Sequence, residues 1–256
     1  MELKTLAIVQ ARNGASRLPG KVLLKILDKT ILEYGIERIK RARSIEGLVI
    51  ATTVNKNDLS IVELASSKGV GVYRGSEDDV LDRYYQAARS FKADHIVRIT
   101  ADCPLIDPGV IDAVIQRYRE SKADYCANTL KETFPDGQDV EVFSFNALKI
   151  AWQNARLASE REHVTPYIRK HTEQFKLASF ENPTDLSAKR WTLDEEKDFI
   201  VIKNILEALY PKNPLFTMDD VLKYLSENSD IEKINSGIAR NEGYAKSLKQ
   251  DKIITP

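Results

Sequence analysis

Short apolar runs alternate with amphipathic stretches through the first half of the chain. Leu6 to Val9 is an apolar run of strand length, and beyond a loop rich in glycine and arginine the apolar positions from Ile31 to Arg43 recur at helical spacing. Leu48 to Thr52 predicts a second strand, Leu59 to Lys68 a helix stopped by Gly69, and Val70 to Tyr73 a third strand. The rhythm then repeats: a helix over Asp79 to Phe91, a strand over His95 to Ile99, a helix over Val110 to Tyr118 opened by Pro108, and a strand over Tyr125 to Asn128. Strands that alternate with helices pair in parallel through right-handed crossovers, with helices on both faces. The expected fold class is therefore α/β, a doubly wound and mostly parallel sheet of Rossmann type.

After Asn128 the pattern changes. The turn-forming FPDGQD leads into the strand-like VEVFSF, and helical patterns follow over Ala147 to Ala158 and Glu162 to His171. Residues 129–185 thus read as a small inserted subdomain. Arg190 to Leu193 predicts a strand returning to the core, and Asp198 to Leu209 a helix. Thr217 with Asp220 forms a capping box ahead of a last amphipathic helix, Val221 to Leu225. The charged tail beyond is expected to wrap the surface, so that 199–256 forms a C-terminal helical segment. A length of 256 residues fits one large domain, 1–256, with an elaboration, and neither an internal repeat nor a low-complexity tract interrupts it.

Composition narrows the partners. Lysine plus arginine and aspartate plus glutamate both number 38, so the formal charge is zero and nothing points to nucleic acid or a membrane surface. No apolar run reaches membrane-spanning length, and the one near the N-terminus is too short for a signal peptide. Cys103 and Cys126 sit in apolar, strand-like runs without metal-ligand spacing, as expected of reduced core thiols in a cytoplasmic protein.

The loop after the first strand carries the most chemistry. It places Arg12, Arg17 and Lys21 around glycine, with Pro19 and Gly20 setting a tight turn. In a doubly wound sheet, ligands bind beyond the carboxyl ends of the strands, where this loop must lie. Backbone N–H groups and forked guanidinium donors suit phosphate oxygens. The loop is neither a Walker loop nor a dinucleotide fingerprint, and composition alone also allows a solvated surface. A second segment, Thr100-Ala101-Asp102-Cys103-Pro104-Leu105, follows the strand His95 to Ile99 directly. Asp102 would face the same crevice and could hold a hard cation against phosphates, although an aspartate there could equally cap a turn.

The loop ARNGASRLPGK closely resembles the signature of the cytidylyltransferases that make CMP-3-deoxy-manno-octulosonate and CMP-sialates, and especially their spore coat polysaccharide branch. The resemblance implies a GT-A-like nucleotidyltransferase domain in which the loop holds the phosphates and cytosine of CTP. It differs from the family's A-R-x-G-S-x-R at Ala15, with Ser16 following. ITADCPLID is similar to the family's metal-binding G-D-x-P-L, with Ala101 in the glycine position, and WTLDEEKDF supplies the late D-x-x-x-D pattern as Asp194 and Asp198. By resemblance Asp102 and Asp194 are the ligands of Mg²⁺ or Mn²⁺, while Asp198 is the acid at the start of the next helix. Arg17, Lys21 and Asp102 are the implied catalytic groups, the two cations stabilising the leaving pyrophosphate. Ala11, Arg12, Gly14, Ser16, Arg17, Lys21, Arg74, Ser76, Thr100 and Ala101 are the implied nucleotide contacts.

The implied reaction transfers CMP from CTP to an acidic 2-keto sugar, an ulosonic or nonulosonic acid. YRGSEDDVLDRY, FPDGQDVEVFSF and REHVTPYIR resemble segments of the same branch. Asp136, Gln138, Asp139 and Glu141 form a polar edge able to accept sugar hydroxyls, and Arg161, His163 and Arg169 could meet a sugar carboxylate. Asp139, Glu141, Glu162 and His163 are the leading sugar-binding candidates, although Glu162 and His163 could instead satisfy helix-terminal or core hydrogen bonds. The resemblance also implies a homodimer through the inserted subdomain, for which Phe134, Phe143 and Phe145 are candidate contacts, and alternating aromatics fit a core as well. The same fold hosts enzymes acting on sugar phosphates and glycosyltransferases, so both remain rivals, as does nucleotide binding without turnover.

Overall fold

A computed structural model describes residues 3–14 and 17–254, so Ala15 and Ser16 of the loop lie outside the described residues. Strand β1 (Thr5–Gln10) leads through the loop to a small hairpin, β2 (Lys25–Ile26) and β3 (Lys29–Thr30), and to helix α1 (Ile31–Ile39). Then come β4 (Gly47–Thr53), α2 (Leu59–Ser67), β5 (Gly71–Gly75), α3 (Val80–Ser90), β6 (His95–Thr100) and α4 (Pro108–Ser121). The second half adds β7 (Tyr125–Ala127), β8 (Glu141–Ser144), α5 (Phe145–Asn154), α6 (Ala158–His163), α7 (Pro166–Lys170) and β9 (Leu177–Ser179). Helices α8 (Glu196–Leu209), α9 (Met218–Glu227), α10 (Ser229–Lys233) and α11 (Glu242–Lys249) complete the chain.

The sheet order is β5-β4-β1-β6-β8-β7-β9. All neighbours pair in parallel except β8, which runs antiparallel to both β6 and β7. Residues 129–185 therefore contribute a strand to the middle of the main sheet. Strand β1 is buried along Leu6 to Val9, as a parallel strand covered on both faces must be. Two apolar layers cover the sheet: Leu32, Ile36, Val110 and Ile111 on one face, Leu81, Tyr84, Phe143 and Ile168 on the other. A third cluster gathers Tyr34, Trp191, Ile202, Ile205 and Phe216 beneath α8 and α9. Phe134 and Phe143 are buried and so are packing residues, and half-buried Phe145 stacks on Tyr85 with ring centroids 5.6 Å apart. Both cysteines are buried and free, and no described helix is long and apolar enough to cross a membrane.

Two expectations are corrected. Arg190 to Leu193 is an extended segment with one bridge, Asp136 to Arg190, and not a strand. Its amides are split between neighbours: Trp191 N–H donates to the Asp136 carbonyl at 2.7 Å and Leu193 N–H to the Asp102 carbonyl at 2.9 Å. Gly137 presses on this segment at φ 102°, and a Cβ there would lie 2.6 Å from the Trp191 carbonyl carbon, so only glycine fits. The helix expected over Glu162 to His171 is broken into α6 and α7 at Val164, which has φ 72°. Pro166 explains the break, because it has no N–H to bond the Glu162 carbonyl and its ring would clash there if the helix ran on, whereas it opens the next helix well. A β-branched residue at positive φ is strained by roughly 1–3 kcal/mol. The strain sits between His163 and Thr165, which both face the site described next.

Candidate active site

Strand register creates the site. Gln10 at the end of β1 pairs with Thr100 at the end of β6, which sets the arginine loop and the Asp102 segment side by side. Here the strand order reverses, with β4 on one side of β1 and β6 on the other, and crevices of this kind receive ligands in α/β sheets. The extended segment after Arg190 brings Asp194 to the same place. Lys21 Nζ donates to Asp102 Oδ2 at 2.6 Å, to the Leu193 carbonyl at 2.7 Å and to Asp194 Oδ1 at 2.9 Å. Two acids separated widely in sequence thus converge on one cation. Burial would raise the Asp102 carboxyl, but the Lys21 ammonium outweighs it and holds Asp102 below its ordinary range. Burial likewise opposes the charge on Lys21, yet the two aspartates hold it protonated, above the ordinary lysine value.

Oxygen donors meeting at one point are the chemistry a hard divalent cation requires, and the ammonium marks where positive charge is accepted. Among the described residues no cluster of three or more His, Cys, Asp or Glu side chains is arranged for a metal. A cation held by Asp102 and Asp194 would draw its other ligands from water and substrate, as magnesium commonly does. The Cys103 thiol beside Asp102 is pushed well above its usual value by burial and by Asp102, so it remains neutral.

Two cavities open on either side of these carboxylates. One, of about 260 Å³, is lined by Ala11, Arg12, Lys21, Arg83 and Ala101, and Glu162 reaches its edge. The other, of about 270 Å³, is lined by Arg98, Asp139, Glu141, His163, Thr165 and Arg169. Gln10, Arg17, Thr100, Asp102 and Asp194 line both. Of the expected nucleotide contacts, Ala11, Arg12, Arg17, Lys21, Thr100 and Ala101 therefore meet in one crevice. Ser16 lies outside the described residues, and Gly14 is an exposed loop position.

Several expected contacts have other work. Arg74 donates to the carbonyls of Thr53 at 3.1 Å and Val54 at 2.8 Å, tying down the end of β4. Ser76 Oγ accepts the Asp79 N–H at 3.0 Å, ahead of α3. Neither lines either of these two cavities. Arg161 is buried against Asp79 and cannot meet a sugar. Gln138 is spent inside, accepting the Asp107 N–H at 2.8 Å and donating to the Leu105 carbonyl at 2.7 Å. Asp136 is committed to Arg190 at 2.7 Å. Glu141 lines its cavity but is saturated by Arg98, the Tyr125 hydroxyl and the Thr165 hydroxyl, which is 2.7 Å away. It orients Arg98 and stays ionised, because Arg98 and Arg169 outweigh the effect of its burial. Glu162 falls on the side of the first cavity, where it accepts the Ser247 hydroxyl at 2.7 Å. Asp198 is fully buried, accepts the N–H groups of Asp194 and Glu195, each at 3.0 Å, and thereby fixes the Asp194 turn.

Asp139 and His163 face the second cavity. Burial pushes the Asp139 carboxyl up to about 7, against the pull of Arg240. His163 is lowered to about 4 by burial, with Arg98 and Arg169 adding to it and Glu162 opposing, so the ring is neutral at physiological pH. From about pH 4 to 6.5 the unfolded chain binds a proton that folded His163 refuses. This contribution therefore weakens stability as pH falls through that window and is constant above it. Asp139 acts in the opposite sense between pH 3.8 and about 7, so the readout is a difference: in urea unfolding at stepped pH, wild type should lose stability relative to His163→Gln as pH falls from 6.5 to about 4.

Sequence reasoning missed Arg83 and Arg98. Arg83 is 1% exposed, donates to the Ser76 carbonyl at 2.6 Å, and has a buried Nε with no protein partner at the first cavity. The signal was present: Arg83 stands on the apolar stripe of α3, among Val80, Tyr84 and Ala87, where a charge needs a reason. Also unforeseen is the tail, which crosses the second cavity with Ala239, Asn241, Glu242, Gly243 and Tyr244 instead of only wrapping the surface.

A cationic loop at a strand-order reversal, facing paired acids between two cavities, is an arrangement that suits a nucleotidyltransferase. Residues 6–235 match the family described as Cytidylyltransferase, and the chain belongs to that family. It is 33% identical to Spore coat polysaccharide biosynthesis protein SpsF of Bacillus subtilis, over 88% of this chain and 95% of that protein. It is also 33% identical to a 3-deoxy-manno-octulosonate cytidylyltransferase of Solibacter usitatus, over 60% of each chain. A cytidylyltransferase structure from Leptospira borgpetersenii superposes with a TM-score of 0.87 at 34% identity, covering 93% of this chain and 100% of that one.

Proposed function

We propose that this nucleotidyltransferase moves CMP from CTP to the anomeric hydroxyl of an acidic 2-keto sugar, releasing pyrophosphate. The observation that carries the reading is the shared wall: Arg17, Asp102 and Asp194 line both cavities, so two substrates can meet at one pair of carboxylates. CTP occupies the cavity lined by Arg12, Lys21 and Arg83, whose cations suit a triphosphate. The acceptor occupies the other, where Arg169 and Arg98 offer cationic groups to a sugar carboxylate. The names of the two relatives, one acting in polysaccharide biosynthesis and one on an octulosonate, support this acceptor class.

In the reaction the acceptor oxygen forms a bond to the α-phosphorus, the bond from that phosphorus to the bridging oxygen breaks, and the hydroxyl proton passes to water. Arg17 and Lys21 stabilise the departing pyrophosphate, and pre-positioned charge of this kind dominates such transfers. A divalent cation held by Asp102 and Asp194 would lower the pKa of the attacking hydroxyl and neutralise charge on the α-phosphate. Asp198 and Arg190 keep Asp194 in place: Arg190 Nη2 lies 3.1 Å from Asp194 Oδ2.

The test is a pyrophosphate-release screen that crosses four nucleoside triphosphates with ulosonic acids, nonulosonic acids and sugar 1-phosphates, in the presence of magnesium. Turnover is expected only with CTP and an acidic keto sugar. Turnover confined to a sugar phosphate would overturn the acceptor assignment.

A further inference from the structure

The C-terminal arm is fastened at both ends and loosely held between them. At its start Asn235 Nδ2 donates to the Arg190 carbonyl at 3.0 Å, and Arg240 pairs with Asp139 at 2.5 Å. At its end the Ala158 N–H reaches the Lys252 carbonyl at 2.9 Å and the Ile254 N–H reaches the Arg156 carbonyl at 2.8 Å. Between these anchors α11 has no buried residue. Its middle rests on side chains alone: Tyr244 meets the His163 ring edge-on at 4.9 Å, Arg169 lies 5.6 Å from the centre of the Tyr244 ring, and the Ser247 hydroxyl is 3.0 Å from His163 Nε2. Elements with so little burial open at low cost.

The first residue of α11 touches the other cavity's chemistry. Glu242 Oε2 accepts from Arg17 Nη1 at 3.1 Å, while the same guanidinium faces Asp194 at 3.2 Å and Glu195 at 3.6 Å. Three carboxylates share one arginine, and both Arg17 and Glu242 are substantially exposed, so this latch is weak. A triphosphate offers more negative charge and a better match to the guanidinium fork. It would also repel Glu242.

We propose that α11 is a strap over the acceptor cavity, and that an incoming nucleoside triphosphate releases it by taking Arg17 from Glu242. This rests on the assignment of the nucleotide cavity given above. The strap holds Tyr244 and Gly243 across the acceptor cavity until the nucleotide is bound, and its release opens the way for the acceptor while both anchors hold. Glu242 is a positioning residue that acts through Arg17 and contacts no reacting atom.

Calorimetric CTP binding should be compared in the full-length wild type, Glu242→Gln and Glu242→Ala, with hydrogen exchange of wild-type α11 measured with and without saturating CTP. Both variants should bind CTP about two- to fivefold more tightly at low salt, an advantage that shrinks as ionic strength rises. Amides of Glu242–Lys249 should exchange several-fold faster with CTP, whereas those paired at Arg156 and Ala158 should not change. Equal affinities in the three proteins, or slower exchange in α11 with CTP, overturn the strap and leave the nucleotide site standing. A wild type that binds no nucleoside triphosphate overturns both.

Discussion

Asp102→Asn is expected to lower kcat by at least about 10³-fold while leaving the fold intact. Removing one neutral electrostatic donor from a reaction site costs about 10²–10³ in rate, and here a full charge is lost from the wall between two substrates. The substitution keeps the shape of the side chain, and Lys21 retains Asp194 at 2.9 Å and the Leu193 carbonyl at 2.7 Å, so the loop keeps its position. The loss should therefore fall on kcat, with little change in the KM for CTP, because the cationic lining of the nucleotide cavity is untouched. Steady-state pyrophosphate release and thermal unfolding, run on the same preparation, separate the effects. A variant within tenfold of wild type at saturating magnesium would remove Asp102 from the chemistry.

The parts of the fold that were legible in the sequence share a physical cause. Strands β1, β4 and β6 are short apolar runs because helices cover both faces, and the loops after them carry polar groups that no core could hold, so fold class and the position of the arginine loop and of Asp102 at the strand ends were legible, while their roles came from the family resemblance. Pairing was less accessible. VEVFSF reads as a strand, but nothing in its composition says that it enters the sheet antiparallel between β6 and β7. Long-range polar pairing was hidden altogether: Arg161 appeared free to meet a carboxylate, and only the packing of α6 on α3 brings it to Asp79. Charge predicts that a side chain needs a partner, but not which one. The break at Val164 and the charge on the apolar stripe at Arg83 were both visible in principle, through Thr165-Pro166 and helical spacing.

Arg190→Ala should be the most destabilising polar substitution near the site, costing about 3–5 kcal/mol, because it strands buried acids. Arg190 reaches Asp136 at 2.7 Å, Asp198 at 2.9 Å and Asp194 at 3.1 Å. Asp198 keeps the Asn235 amide and two backbone N–H groups, but without the guanidinium its charge is fully buried and uncompensated. Asp136 faces the same loss, with Arg240 its nearest remaining cation at 4.0 Å. Lysine should recover only part of the stability, since one ammonium cannot replace a fork that touches three carboxylates at once. The Asp198 carboxyl lies below its ordinary range, since Arg190, Asn235 and the Asp194 amide together outweigh its burial. Its contribution is present above the unfolded value of 3.8 and is lost as pH falls through the lower folded value. In Arg190→Ala the folded carboxyl should instead be raised, so the variant should regain stability towards acid while the wild type loses it. Urea midpoints followed from pH 7 to well below pH 3.8 would read out the crossing slopes, and parallel slopes would show that Arg190 does not set the charge of this network.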